Sequence, residues 1–203
     1  MTFQHRSRGP LSLPVAVSLG VIVILTLYFY SPLQLLTMAE STSFLDSLQV
    51  SVSQSSASPP SISVSVKNTH PDSTVTVLKW NSPLDPIIFG LGQVAITPHG
   101  ASEPIPAHAI KVSRKMPPGP ESLVTLRPGQ SAENVVELGE PRVPGNVWDA
   151  GSAKVSLKGR WMAVWPGLTM EELLQQPEKL QSVGAGVGSL TGDWESETIE
   201  VGK

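Results

Sequence analysis

The sequence predicts an all-β antiparallel sandwich behind an N-terminal transmembrane helix, and three observations carry that expectation. Apolar residues recur at every second position in several short runs, the period of a strand with one face buried. Nineteen prolines and 17 glycines punctuate the 203 residues, leaving little room for long helices. The third observation is LSLPVAVSLGVIVILTLYFY, residues 11–30, which carries no charge. It has the length of about 20 residues that a helix needs to cross a bilayer's hydrocarbon core.

Taken in chain order, residues 1–10 hold His5, Arg6 and Arg8, a basic flank that favours a cytoplasmic N-terminus. Tyr28, Phe29 and Tyr30 close the apolar run as an interfacial aromatic belt. Residues 11–30 therefore read as a type II signal anchor, longer than the about 7 to 15 apolar residues of a secretory signal. Thr37 and Ala39 supply the small residues of a cleavage site, so secretion after a cut near Ala39 is the alternative. After a connector at residues 31–44, residues 45–203 form the lumenal or extracellular domain.

That domain opens with LDSLQVSVSQ, which sets Leu48, Val50 and Val52 on one strand face, and SISVSVKN repeats the pattern with Ile62, Val64 and Val66. Turn formers in SSASPP join the two. TVTVLKW from Thr74, QVAITP from Gln93 and HAIKVSR from His108 read as the third, fourth and fifth strands. VTLRPGQSAENVVEL, residues 124–138, reads as a hairpin-like corner. Pro128 and Gly129 suit the central positions of a type II turn, where proline presets φ and glycine accepts a positive φ. With that register Val124, Leu126, Val136 and Leu138 enter the core, while Glu133 and Glu137 stay outside. AKVSLKGRWMAVW, residues 153–165, is a long strand, and WESETIEV from Trp194 is the last. One helix interrupts the series: TMEELLQQ has a capping box, Thr169 with Glu172, and Pro177 limits it to about two turns. Strand-sized segments with frequent turns place the domain among immunoglobulin-like antiparallel sandwiches.

Composition removes several functions. A net charge of −3 with no basic block gives no footprint for nucleic acid, and zero cysteines exclude disulfides and a thiol nucleophile. His5, His70, His99 and His108 are scattered, lacking the one-turn spacing of a helical zinc pair, so no metal or cofactor is expected. No Gly-x-Ser-x-Gly elbow is present. Glu171 with Glu172 sits at a helix start, and Glu195 with Glu197 alternates on a solvated strand face. VGAGVGSLTG, from Val183, lacks the lysine of a phosphate-binding loop. Arg114 and Lys115 read as solvated loop charges.

The run VSVKNTHPDSTVTVLKWNSPLD from Val64, the corner VTLRPGQSAENVVEL and the strand KVSLKGRWMAVW together resemble the propeptide of deuterolysin-type zinc metalloproteases and related stand-alone secreted fungal proteins. The resemblance spans residues 46–165. It implies an immunoglobulin-like prodomain that assists folding or restrains a protease, yet no His-Glu-x-x-His helix follows here.

Five tryptophans stand out in a chain that is 5% aromatic: Trp80, Trp148, Trp161, Trp165 and Trp194. Most are expected to fill the core. Trp161 and Trp165 share a strand face by parity and are the candidate partner surface. Three functions are expected in descending order. The first is a non-enzymatic, membrane-tethered module that binds a protein of the secretory route, chaperone-like or inhibitory toward it. The second is an accessory protein carrying a small apolar ligand in a cavity between the sheets, and the third an enzyme of unrecognised type.

Overall fold

The computed structural model describes residues 44–184 and 188–203. The run at 11–30 and the cleavage site at Ala39 lie outside them, as do residues 185–187 of the glycine-rich loop. Among the described residues no helix is long and apolar enough to cross a membrane.

Strands β1 (Leu48–Ala57) and β2 (Pro60–Asn68) form the alternating pair that the sequence implies, antiparallel from Leu48 opposite Asn68 to Ala57 opposite Pro60. β6 (Ser131–Glu137) adds to β2 and completes a three-stranded sheet in the order β1-β2-β6. The facing sheet has six strands, built around β7 (Ser152–Pro166). β3 (Val75–Leu78) and β4 (Val94–Pro98) pair with the C-terminal and N-terminal portions of β7. β5 (Leu123–Leu126) adds to β3. Ile62, Val64, Val66, Val77 and Val155 are fully buried between the two sheets, the apolar stripes that period two requires.

Four expectations change. The segment from His108 is an extended loop rather than a strand, exposed at His108, Ile110 and Lys111. Pro104, Pro106, Pro117 and Pro118 flank it and bring no N–H to a ladder. The final strand is two, β8 (Leu190–Glu195) and β9 (Ile199–Gly202), broken where the Ser196 Oγ accepts from the Leu157 N–H at 2.9 Å. Glu195 and Glu197 therefore do not alternate on one strand. The single helix is also two, α1 (Met170–Leu174) and α2 (Pro177–Leu180). The Thr169–Glu172 capping box is present in both directions, and Pro177 both ends α1 and starts α2, as proline at a first helical position can.

The fourth change concerns the tryptophans. The register of β7 against β8 shifts between Trp161 and Val164, which reverses the parity of everything beyond. Trp161 and Val164 thus face the inter-sheet core, whereas Ala163 and Trp165 face a second core. That core packs Leu78 and Leu123 of the large sheet against Leu173 and Leu180 of the helices.

Candidate functional site

The corner at Pro128 and Gly129 joins the two sheets, and its strands pair with different partners. β5 belongs to the large sheet and β6 to the small one, so the hairpin-like reading becomes an inter-sheet crossing. The turn itself is as expected: Gly129 has φ of +77°, and the Gln130 N–H donates to the Arg127 carbonyl at 2.9 Å. Leu126, Val136 and Leu138 are buried, Val124 packs against the same core, and Glu133 and Glu137 are exposed. Buried Asn68 holds the corner. Its N–H donates to Gln130 O at 3.0 Å, its carbonyl accepts from the Gly129 N–H at 2.8 Å, and its Nδ2 donates to Leu126 O at 2.9 Å and Ser73 O at 2.8 Å.

Trp161 and Trp165 are 1% and 0% exposed, so neither side chain is available to a partner. Trp161 instead packs on Trp194, with ring centroids 6.1 Å apart. His70 is structural: it stacks on Phe44, and its Nδ1 accepts from the Ser73 N–H at 3.0 Å. His99 and His108 are exposed. Among the described residues no group of three His, Cys, Asp or Glu side chains is placed to hold a metal ion.

What the structure does assemble lies where β6, the edge of the small sheet, faces β4 and β5 of the large one. Residues 79–93 bridge this gap in consecutive turns, with Asp85 N–H donating to Ser82 O and Ile88 N–H to Asp85 O, each at 3.0 Å. Asp85 is fully buried. Its carboxylate accepts from the Asn81 N–H at 2.8 Å, the Ile87 N–H at 3.1 Å and Arg114 Nη2 at 2.6 Å. Three donors and one opposite charge offset the cost of burying the carboxylate. Arg114 is therefore not a free loop charge, and its guanidinium also lies 5.7 Å from the Trp80 ring centroid. Asn134 of β6 fastens the bridge from below, donating from Nδ2 to Asp85 O at 2.9 Å and Pro83 O at 3.2 Å.

The bridge divides the gap, with Pro86 lining a hollow on each side. The hollow toward β5 includes Lys79, Arg114, Glu121 and Glu133 and is rich in charge. The other is an apolar cleft of about 380 Å³. Ile87 and Phe89 of the bridge, Val94 and Ile96 of β4, and Val135 and Val136 of β6 form its walls. A strap, residues 99–118, covers its mouth with Ile105 and Ile110, tied by Ile105 N–H to Ile96 O and Ile110 N–H to Gly90 O, both at 2.8 Å. Gly90 permits that approach, since a Cβ there would lie 3.2 Å from Ile110 Cδ1. Even so, Ile110 is 57% exposed and Val135 66%, high values for large aliphatic side chains. His108, Glu137 and Arg142 supply the polar margin.

Of the cleft residues, Val136, Glu137 and His108 stand out in the sequence only as a core valine, an exposed glutamate and a scattered histidine, and none of the lining reads there as a binding site. Two signals were present: DPIIFGLG is apolar but broken by proline and glycine, fitting no strand, and the adjacent Val135 and Val136 violate alternation. One valine of such a pair must face away from the core.

Fold and cleft together define a β-sandwich scaffold with an apolar recess held between sheet edges and loops. The chain belongs to an immunoglobulin-like domain family, whose model matches residues 47–203. It is also similar to an uncharacterized secreted protein of Arthroderma benhamiae (strain ATCC MYA-4681 / CBS 112371), 28% identical over 145 residues that make up 71% of this chain and 70% of the relative. The matches support the immunoglobulin-like family and a secreted relative, and neither links the chain to deuterolysin propeptides.

Proposed function

We propose that the chain is a non-enzymatic binding domain of the secretory route that takes a small apolar ligand in the cleft between β4 and β6. The carrying observation is the cleft itself, whose 380 Å³ and aliphatic walls suit a small ligand rather than a catalytic constellation. The relative named as secreted supports a lumenal or extracellular setting, and the run at 11–30 is the proposed tether. The test is hydrogen–deuterium exchange on the full-length protein in nanodiscs, titrated with a neutral probe, dodecanol. Protection should appear in peptides covering residues 86–96, 105–110 and 133–142, and should vanish in Ala107→Trp, which fills the cleft from its exposed side. Unchanged exchange in all three peptides at saturating dodecanol defeats the reading.

A second reading keeps the chaperone-like or inhibitory role that the propeptide likeness implies. It is favoured by β6, which ends its sheet and exposes Val135, an edge on which a partner's extended segment can add a strand. Val135→Asp would then abolish co-purification of one defined partner while leaving the fold intact, and its continued capture would exclude this edge.

A further inference from the structure

Accepting the cleft as a ligand site, we infer that its ligand is an amphiphile with an anionic head group, and that Arg142 receives that head. Three ionisable side chains border the cleft: His108, Glu137 and Arg142. The Glu137 carboxylate is turned over the next turn, with Oε1 3.1 Å from where a Cβ on Gly139 would lie. His108 stands on the opposing strap with no charged or hydrogen-bonding partner among the described residues. The Arg142 guanidinium likewise has none, whereas Arg114 and Arg160 each hold an aspartate; Arg127 is also without an ion pair among the described residues but does not border the cleft.

The Arg142 backbone is nevertheless fixed. Arg142 N–H donates to Gly139 O at 3.1 Å, Pro141 before it lines the cleft, and Val143 after it is fully buried. An anchored backbone carrying an unpaired guanidinium at the rim of an apolar wall is complementary to a chain that ends in a carboxylate or phosphate. The planar fork of the guanidinium binds either one through two parallel hydrogen bonds. The apolar tail then occupies the walls, and the head stays at the margin where water still reaches it. No buried charge is created, which is why an exposed arginine serves here better than a buried one.

The experiment compares four probes of equal chain length on the full-length protein: dodecanoate, dodecyl phosphate, dodecanol and dodecylammonium. Half-saturation is read from exchange protection in peptides 86–96 and 133–142. The anions should bind about twofold to fivefold more tightly than dodecanol at low salt, the range of an exposed ion pair, and dodecylammonium more weakly than dodecanol. The preference should shrink at high salt as the pair is screened. Arg142→Gln should abolish the anion preference, bringing the ratio of anion to alcohol affinity to about one. The two anions separate a carboxylic acid from a phosphate as the natural head. Equal wild-type binding of anion and alcohol, or an anion preference that survives Arg142→Gln, overturns this inference and leaves the apolar site standing. Failure of dodecanol itself to protect either peptide removes both.

Discussion

The two lateral seams of the sandwich are closed by different means. On one side β1 meets β9, and the Gln54 amide acts as a strand surrogate: its Nε2 donates to Gly202 O at 2.6 Å, and its Oε1 accepts from the Gly202 N–H at 3.1 Å. Gln54 stands where β1 shifts register against β2, and its side chain replaces a missing ladder step. On the other side β6 is joined to β5 at the Pro128–Gly129 corner, and beyond it faces β4 and β5 across the irregular bridge at 79–93 and the strap at 99–118. Strand-like pairing brings backbones to the separation of a sheet and leaves no volume between them. Loops rich in proline and glycine cannot pack so regularly, and the cleft is what remains. The scaffold thus keeps one seam tight and gives the other to loops, the usual division between stability and binding.

The largest effect is expected where the open seam depends on one buried charge. Asp85→Ala removes the acceptor of the Asn81 and Ile87 N–H groups and leaves Arg114 unpaired beside Trp80. Breaking a buried pair costs about 3 to 5 kcal/mol, and the 24% exposure of Arg114 points to the lower end. For a domain of this size that lowers the melting temperature by roughly 10 °C, and dodecanol protection of residues 86–96 should disappear as well. A loss of protection without a thermal shift would mean that Asp85 touches the ligand rather than holding the bridge.

Next in size is the corner that positions β6, one wall of the cleft. A Cβ at Gly129 would meet nothing within 4 Å, so Gly129→Val is penalised by its φ of +77° alone. That conformation costs a β-branched residue about 1 to 3 kcal/mol. Binding should decline only with the folded fraction. Abolished binding at an unchanged midpoint would make the corner a recognition loop.

These two positions mark the limits of what the sequence discloses. Gly129 was legible because proline followed by glycine between two apolar runs has a local mechanism, and the β1–β2 alternation and the Thr169 capping box are local in the same way. Asp85 was not, since its meaning depends on Arg114, 29 residues away. The bulge between Trp161 and Val164 was invisible for a related reason: parity was counted along β7 alone, while the shift belongs to its pairing with β8. HAIKVSR alternates as a strand does, yet the bridge and the Ile105 bond to Ile96 occupy its approach to β4. The cleft draws its walls from the bridge, β4, the strap and β6, so only tertiary structure reveals it.

The tight seam offers a smaller and opposite result. Gln54→Ala removes three exposed hydrogen bonds, two to Gly202 and one to Ser56 O, that water can replace, a loss of about 0.5 to 1.5 kcal/mol. Amide exchange at Gly202 should quicken, and cleft binding should not change. A weakened cleft would show that the two seams are coupled across the core.

The smallest stability effect and the most selective binding effect should meet at Ile110. At 57% exposure it buries too little apolar surface to support the fold, so Ile110→Ser should leave the melting temperature within about 1 to 2 °C of the parent. The backbone tie from its N–H to Gly90 O survives the substitution, and with it the course of the strap. What changes is the roof of the cleft, where the side chain closes on Gly90. Covering a bound tail buries that isoleucine, whose full burial contributes about 1.5 to 3 kcal/mol, and the half already hidden lowers the gain to roughly 1 kcal/mol. Dodecanol affinity should therefore fall about fivefold, while the ratio of dodecanoate to dodecanol stays constant because Arg142 is untouched. A thermal shift of more than a few degrees would make the strap part of the fold. Unaltered affinity would place the ligand, or the partner, away from the cleft.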